Sequence, residues 1–208
     1  MQIIPVPGSL DASSFDQIAS ELAKGGERKV LFDGRHLRWV DPGGILGLLA
    51  AGVVARDRQG TPPKLQLVEG ADVTRYLARM RFFHAAEEIF DLDIKPSRRS
   101  WSSSDVLLEI TPISTNTDIH AVVDKVQKQA GAILAKTLNY PASAVVQFSV
   151  ILSEGCQNII EHAEGWGWVS AQTYTWAKRL GRQVGVISVA DVGHGFKGSV
   201  ADTHATRF

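Results

Sequence analysis

Glu154, Asn158 and His162 recur at four-residue intervals in the stretch VVQFSVILSEGCQNIIEH, residues 145–162. Each such step turns an α-helix by about 400°, so the three side chains drift by only about 40° per step and share one face. Val146, Val150, Ile151, Ile159 and Ile160, with Phe148 and Leu152 beside them, supply helical apolar spacing next to that polar row. A carboxylate, an amide and an imidazole aligned beside an apolar stripe suggest a ligand site, although the wet face of an amphipathic helix has the same spacing. A second cluster lies about thirty residues on, at Asp191-Val192-Gly193-His194-Gly195. It ends a strand in which Ile187, Val189 and Asp191 share one side. If Ile187 and Val189 pack against helices, Asp191 projects into the same layer and needs a hydrogen-bond donor there. A purine amino group, a structural water or a backbone amide would each serve. Gly193 and Gly195 remove Cβ atoms just beyond the carboxylate, which permits close approach or positive φ. Taken alone, D-x-G-x-G also describes an ordinary strand-end turn.

The elements that must position these residues follow from periodicity and punctuation. Residues 2–6, 29–33 and 64–68 read as short buried strands. Between and after them run helical patterns: one capped by Asp11, with Phe15, Ile18, Ala19, Leu22 and Ala23 inward; one over Ile45–Arg58, with Ile45, Leu48, Leu49, Gly52 and Val53 inward; and one over Asp72–His84. Phe90 closes this section. Strands alternating with helices predict an α/β layer with a largely parallel sheet over residues 1–94. The polar, basic, serine-rich run KPSRRSWSSS, residues 95–104, predicts a linker. Beyond it, over residues 105–208, the expectation is a strand at 105–110, a helix over Asp118–Leu138, the 145–162 helix, and an antiparallel hairpin of 168–176 with 183–191. Helices on one face of a mixed or antiparallel sheet make this half α+β.

Composition narrows the class. The chain has 208 residues, 44% of them hydrophobic and 21% charged, with 22 basic residues against 22 acidic ones. That balance argues against a non-specific polyanion binder. The single cysteine, Cys156, excludes an intramolecular disulfide framework or a multi-cysteine metal cluster, and its place in the apolar part of the helix marks a buried structural thiol. No run approaches ~20 uninterrupted apolar residues, and the N-terminal MQIIPVPGSLD lacks the pattern of a signal peptide, so a cytoplasmic protein is expected. No H-x-x-x-H or cysteine spacing supports zinc, and no P-loop or G-x-S-x-G elbow occurs.

E-x-x-x-N on a helix, then a hairpin, then D-x-G-x-G at the end of its second strand is a specific order. Glu154–His162 and Asp191–Gly195 resemble the N box and first glycine box of the GHKL (histidine kinase-like) ATP-binding fold, and EGCQNIIEH is most similar to its anti-sigma factor serine kinase branch. That resemblance implies an α/β sandwich with helices on one face of a mixed sheet. It implies that Asn158 helps hold Mg²⁺ against the phosphates of ATP. Asp191 would accept the adenine amino group, and Gly193 and Gly195 would shape the adenine edge. In members that transfer or hydrolyse phosphate, Glu154 would be the general base. His162 is expected to be a helix-terminal structural residue. In this fold a lid and a second glycine-rich segment follow, whereas here only KGSVADTHATRF, residues 197–208, remains. The expectation is therefore the N-terminal part of that domain, with ATPase or serine kinase activity left to a longer form.

Residues 1–94 resemble, in layout, the STAS domain of anti-sigma factor antagonists. The loop that reads D-S-S-G in that family, and carries the phosphorylated serine, is here Asp41-Pro42-Gly43-Gly44. Neither serine position holds a hydroxyl, so the resemblance implies a unit that is not switched by phosphorylation there and serves as a docking or dimerisation surface. Together the two resemblances imply an ATP-binding regulatory protein of the partner-switching type, bound to ATP or ADP with Mg²⁺ and to a protein partner through the STAS-like unit, with neither nucleic acid nor membrane. Homodimer formation is left open. The alternative is a non-catalytic protein–protein interaction module with a vestigial nucleotide pocket.

Overall fold

The computed structural model describes residues 1–26, 28–94, 106–125, 141–162, 166–175 and 183–193. Two compact units divide the chain, Met1–Ser104 and Asp105–Phe208. The predicted linker over 95–104 lies outside the described residues. Parallel and antiparallel sheets both occur, so the fold is mixed α/β.

The first unit runs β1 (Gln2–Pro5), β2 (Ser9–Leu10), α1 (Ala12–Lys24), β3 (Val30–Asp33), β4 (Trp39–Val40), α2 (Pro42–Gln59), β5 (Lys64–Gln66), α3 (Asp72–Arg79), α4 (Phe82–Ala86) and β6 (Asp91–Leu92). Strands β1, β3, β5 and β6 form a parallel sheet in that spatial order. Each strand lies beside the one before it, and parallel strands need helical crossovers, which are right-handed almost without exception. Ile4, Phe32 and Leu65 share one register row and are fully buried. Phe90 closes the layer edge-on against Phe32, with ring centroids 5.7 Å apart.

Helix α2 is the centre of this unit. Ile45, Leu48, Leu49, Gly52 and Val53 are buried as expected, but so are Leu46, Ala51 and Ala55 on its other sides. Two glycines permit that enclosure: a Cβ on Gly47 would lie 2.7 Å from the Phe15 ring, and one on Gly52 would lie 2.2 Å from Phe90. The predicted helix over Asp72–His84 is instead two helices. Arg81 takes a left-handed conformation, φ 61°, between them. That break turns Phe82 and Phe83 into the core, where both are buried. On α1, Ile18 and Leu22 are buried, but Ala19 and Ala23 are exposed, because the helix shows only a narrow stripe to its neighbours.

The second unit contains β7 (Val106–Ile113), a helical segment α5 (residues 116–125), α6 (Ala142–His162), β8 (Gly167–Thr175) and β9 (Gln183–Asp191). Most of the predicted 118–138 helix falls outside the described residues. Thr115 caps α5, its hydroxyl accepting the Asp118 N–H at 3.3 Å, while the Asp118 carboxylate accepts the backbone N–H groups of Ser114 and Thr115 at 3.0 and 2.8 Å. Among the described residues the sheet order is β7-β8-β9, antiparallel throughout, one of the two forms, mixed or antiparallel, expected for this half. Ile119 and Val122 of α5 join Leu152, Cys156 and Ile159 of α6 over Leu108, Val169 and Ala171 of the sheet. Both helices therefore cover one sheet face.

Candidate functional site

The register of α6 on the sheet sets where its polar residues go. Leu152, Cys156 and Ile159 are fully or almost fully buried and mark the packed face. Two contacts define the side of that face lying over β9. A Cβ on Gly155 would sit 3.1 Å from Val189, and one on Gly185 would sit 3.7 Å from the Phe148 ring. A third contact lies over β8, where a Cβ on Gly167 would sit 3.0 Å from Ile159. Each residue turns the helix by about 100°, so Ile151 and Asn158 lie some 40–80° beyond Phe148 and Gly155, in the sense that leads away from β8. Both are exposed, Ile151 at 63%. Glu154 lies further round the same flank and is exposed as well.

This register levels the two clusters with each other. Helix α6 and β9 run in the same direction, because Phe148 sits over Gly185 and Gly155 over Val189. Ile159 meets Gly167, whose partner across the ladder is Asp191. Asn158 therefore stands at the Asp191 end of β9. Asp191 is exposed and its Oδ1 accepts the backbone N–H of Gly193 at 3.1 Å, so the backbone amide, one of three donors foreseen for it, is present. A carboxylate that already accepts from one side keeps a second oxygen for an amino group. The amide oxygen of Asn158 is a suitable hard ligand for Mg²⁺.

Several expectations need correction or lie beyond view. Val146, Val150 and Ile151 do not pack inward; they are 63%, 54% and 63% exposed. Ile159 and Ile160 of the expected stripe, with Phe148 and Leu152 beside it, do pack on the core, joined there by Val145 and Cys156. Ile187 packs against that core, while Val189 remains 37% exposed, so Asp191 lies at an open edge and is not enclosed in the layer. Gly195 and His194 fall outside the described residues, and the side chain of His162 does also. Cys156 is buried as expected, and its burial pushes the thiol up to about 11, which leaves it inert near neutrality. Trp168 is buried and meets Trp166 edge-on at 4.6 Å, a packing pair at the rim. Sequence reasoning missed the part of Gly155: a glycine in mid-helix was the available signal of close approach to a strand.

In the first unit, Asp41 caps α2 by accepting the Gly44 N–H at 2.7 Å, with Pro42 in the first turn. A Cβ on Gly44 would lie 2.3 Å from the Leu10 carbonyl oxygen, so a glycine is required there on packing grounds. Gly43 is less confined, its nearest neighbour standing 3.3 Å from where a Cβ would be. Asp11 caps α1 in the same manner, with Ser14 completing the capping box. Among the described residues no group of three or more histidine, cysteine or acidic side chains is placed to hold a metal ion. No described helix is long and apolar enough to cross a membrane.

No family model, curated protein or solved structure matches this chain.

Proposed function

We propose that the second unit binds Mg-ATP on the exposed flank of α6 and the adjoining end of β9, in a regulatory protein of the partner-switching type. The observation that carries this reading is the levelling of Asn158 with Asp191 through the contacts Gly155–Val189 and Ile159–Gly167. Asp191 takes the adenine amino group, Gly193 lines its edge, with Gly195 assigned the same part by the resemblance alone, and Asn158 supplies an oxygen to Mg²⁺ beside the phosphates. Glu154, on the same flank, would be the base in a form competent for phosphoryl transfer to serine or to water. The similarity of the two boxes to the GHKL fold supports this assignment. The first unit, STAS-like in layout, supplies the surface for a protein partner and is not switched at Asp41–Gly44.

Calorimetric titration of the chain with ATP and with ADP, with and without Mg²⁺, tests the reading. Binding is expected, is lost in Asp191→Ala, and loses its Mg²⁺ dependence in Asn158→Ala. No heat and no thermal shift at millimolar nucleotide would overturn it. A second reading, an interaction module without nucleotide, draws on the exposure of Val146, Val150 and Ile151. It predicts partner binding that survives both substitutions.

A further inference from the structure

Gly155 stands in the interior of α6, where alanine would be the more stable choice at an unconstrained position. Its φ is not positive, so no turn calls for a glycine. What a side chain there would meet is Val189 of β9. The Val189 Cγ2 lies 3.1 Å from the place of a Cβ on Gly155, and the Val189 Cβ lies 4.0 Å from it. The shorter distance is tighter than ordinary van der Waals contact, and a β-branched side chain has few rotamers into which to retreat. At the other end of the same helix–strand contact, a Cβ on Gly185 would stand 3.7 Å from the Phe148 ring, an ordinary separation. Of these two contacts the closer one is at the end of β9 that carries Asp191. A second glycine acts at that end from β8. Gly167 pairs with Asp191, and a Cβ on it would lie 2.3 Å from the Ala190 carbonyl oxygen and 3.0 Å from the Asp191 Cα.

We propose that Gly155 is a positioning residue of the nucleotide site: by lacking a Cβ it lets α6 approach β9 at Val189 and so sets Asn158 against Asp191. The inference rests on the Mg-ATP site proposed for this unit. Helix α6 and β9 run in the same direction. Asn158 therefore follows Gly155 by one turn, about 4.5 Å of helix, and Asp191 follows Val189 by about 6.6 Å of strand. Both groups stand just beyond the contact, on the two elements that it joins. A ligand held by its base at Asp191 and through its metal at Asn158 feels the spacing of the two, whereas a ligand held by its base alone does not. Alanine at position 155 would lift α6 from β9 by a few tenths of an ångström and carry the metal side of the site with it. The clash is with a side-chain methyl and not with backbone, so it can be relieved. In Val189→Ala only the Cβ is left, 4.0 Å from a Cβ at position 155, which is ordinary contact.

Calorimetric titration of the 208-residue chain with ATP, once in excess Mg²⁺ and once in EDTA, tests this. In Gly155→Ala the Kd for Mg-ATP is expected to rise by about three- to tenfold, while the Kd for metal-free ATP stays as in the wild type. Tm is not lowered, since alanine favours the helix. Combining Gly155→Ala with Val189→Ala is expected to restore the gain from Mg²⁺ to that of Val189→Ala alone, the coupling that a double-mutant cycle measures. A Gly155→Ala chain that binds Mg-ATP as the wild type does overturns the proposal. So does one that loses Mg-ATP and metal-free ATP alike, or one too unstable to titrate, because the glycine then serves the fold. A double variant no better than Gly155→Ala overturns it too. A wild type that binds neither form of ATP fails before any substitution is made; it overturns the nucleotide site itself, and this proposal with it.

Discussion

Helices α2 and α6 are both apolar well beyond one stripe, and the two units treat them differently. The first unit sets α2 against α1, α4 and the Ile89–Phe90 segment, and its apolar residues are buried on nearly every side. The second unit lays α6 on a sheet and leaves Val146, Val150 and Ile151 in solvent beside Glu154 and Asn158. Several carboxylates of the first unit are tied up within it. Asp11 and Asp41 are occupied in capping, and Asp33 is held down to about 2 by the Arg35 guanidinium that binds it. Glu154 and Asp191 lie exposed at the end of a helix–sheet layer. Asp118 and Glu109 of the second unit are likewise engaged, with the N–H groups of Ser114 and Thr115 and with Lys125, so the contrast is confined to the α6 flank and the end of β9.

Substitutions in the first unit are therefore expected to act on stability and those on the α6 flank on binding. The largest effect is expected from Phe32→Ala, which empties a fully buried site and removes the edge-on contact with Phe90. A loss of about 3–5 kcal/mol is expected by chemical denaturation, with the transition of the first unit moved. Next comes Gly44→Ala, whose Cβ would be 2.3 Å from the Leu10 carbonyl oxygen. Backbone does not yield as a side-chain tip does, so about 1–3 kcal/mol is expected to be lost. A stable Gly44→Ala protein would show that the N-terminus of α2 is looser than its contacts imply.

How much of this was legible beforehand differs by level. The alternation of strands and helices in residues 1–94 was plain, because β3 and α2 carry long apolar runs bounded by Gly, Pro and Asp. The break at Arg81 was not, since nothing in TRYLARMRFFHAA halts a helix locally; the burial of Phe82 and Phe83 decides it. The candidate site shows the same limit. Spacing placed Glu154 and Asn158 on one face and Asp191 at a strand end, which local geometry fixes. Which side of α6 would meet the sheet could not be read from apolar residues, because Val146, Val150 and Ile151 are as hydrophobic as the residues that pack. Gly155 settles it through its approach to Val189. An apolar helix with two candidate faces is ambiguous until its neighbours are known.

The caps of the first unit give a smaller and sharper test. Hydrogen bonds from the Ser14 backbone and the Ser13 hydroxyl hold the Asp11 carboxyl below its ordinary 3.8. Burial, with the Asp11 charge nearby, pushes Asp41 above it. The signs oppose. A depressed folded pKa gives Asp11 stability that is present above 3.8 and lost as the pH falls through the lowered value. A raised one means that folded Asp41 binds its proton more readily than the unfolded chain, so its contribution declines as the pH rises from 3.8 through the raised value. Asp11→Asn is therefore expected to destabilise at pH 7, and the difference from wild type shrinks in acid. Asp41→Asn keeps an acceptor for the Gly44 N–H without the buried charge, and is expected to be neutral or stabilising by a few tenths of a kcal/mol at pH 7. Denaturant midpoints measured from pH 3 to 7 check both slopes.

The smallest stability effects are expected where the functional proposals place the most weight. Asn158→Ala and Ile151→Glu alter exposed side chains of α6, and each is expected to change unfolding free energy by no more than about 0.5 kcal/mol. Asn158→Ala is expected to weaken the calorimetric response to Mg-ATP and to leave the denaturant midpoint of the second unit in place. Loss of that response together with a lowered midpoint would mean that Asn158 serves the fold and not the ligand.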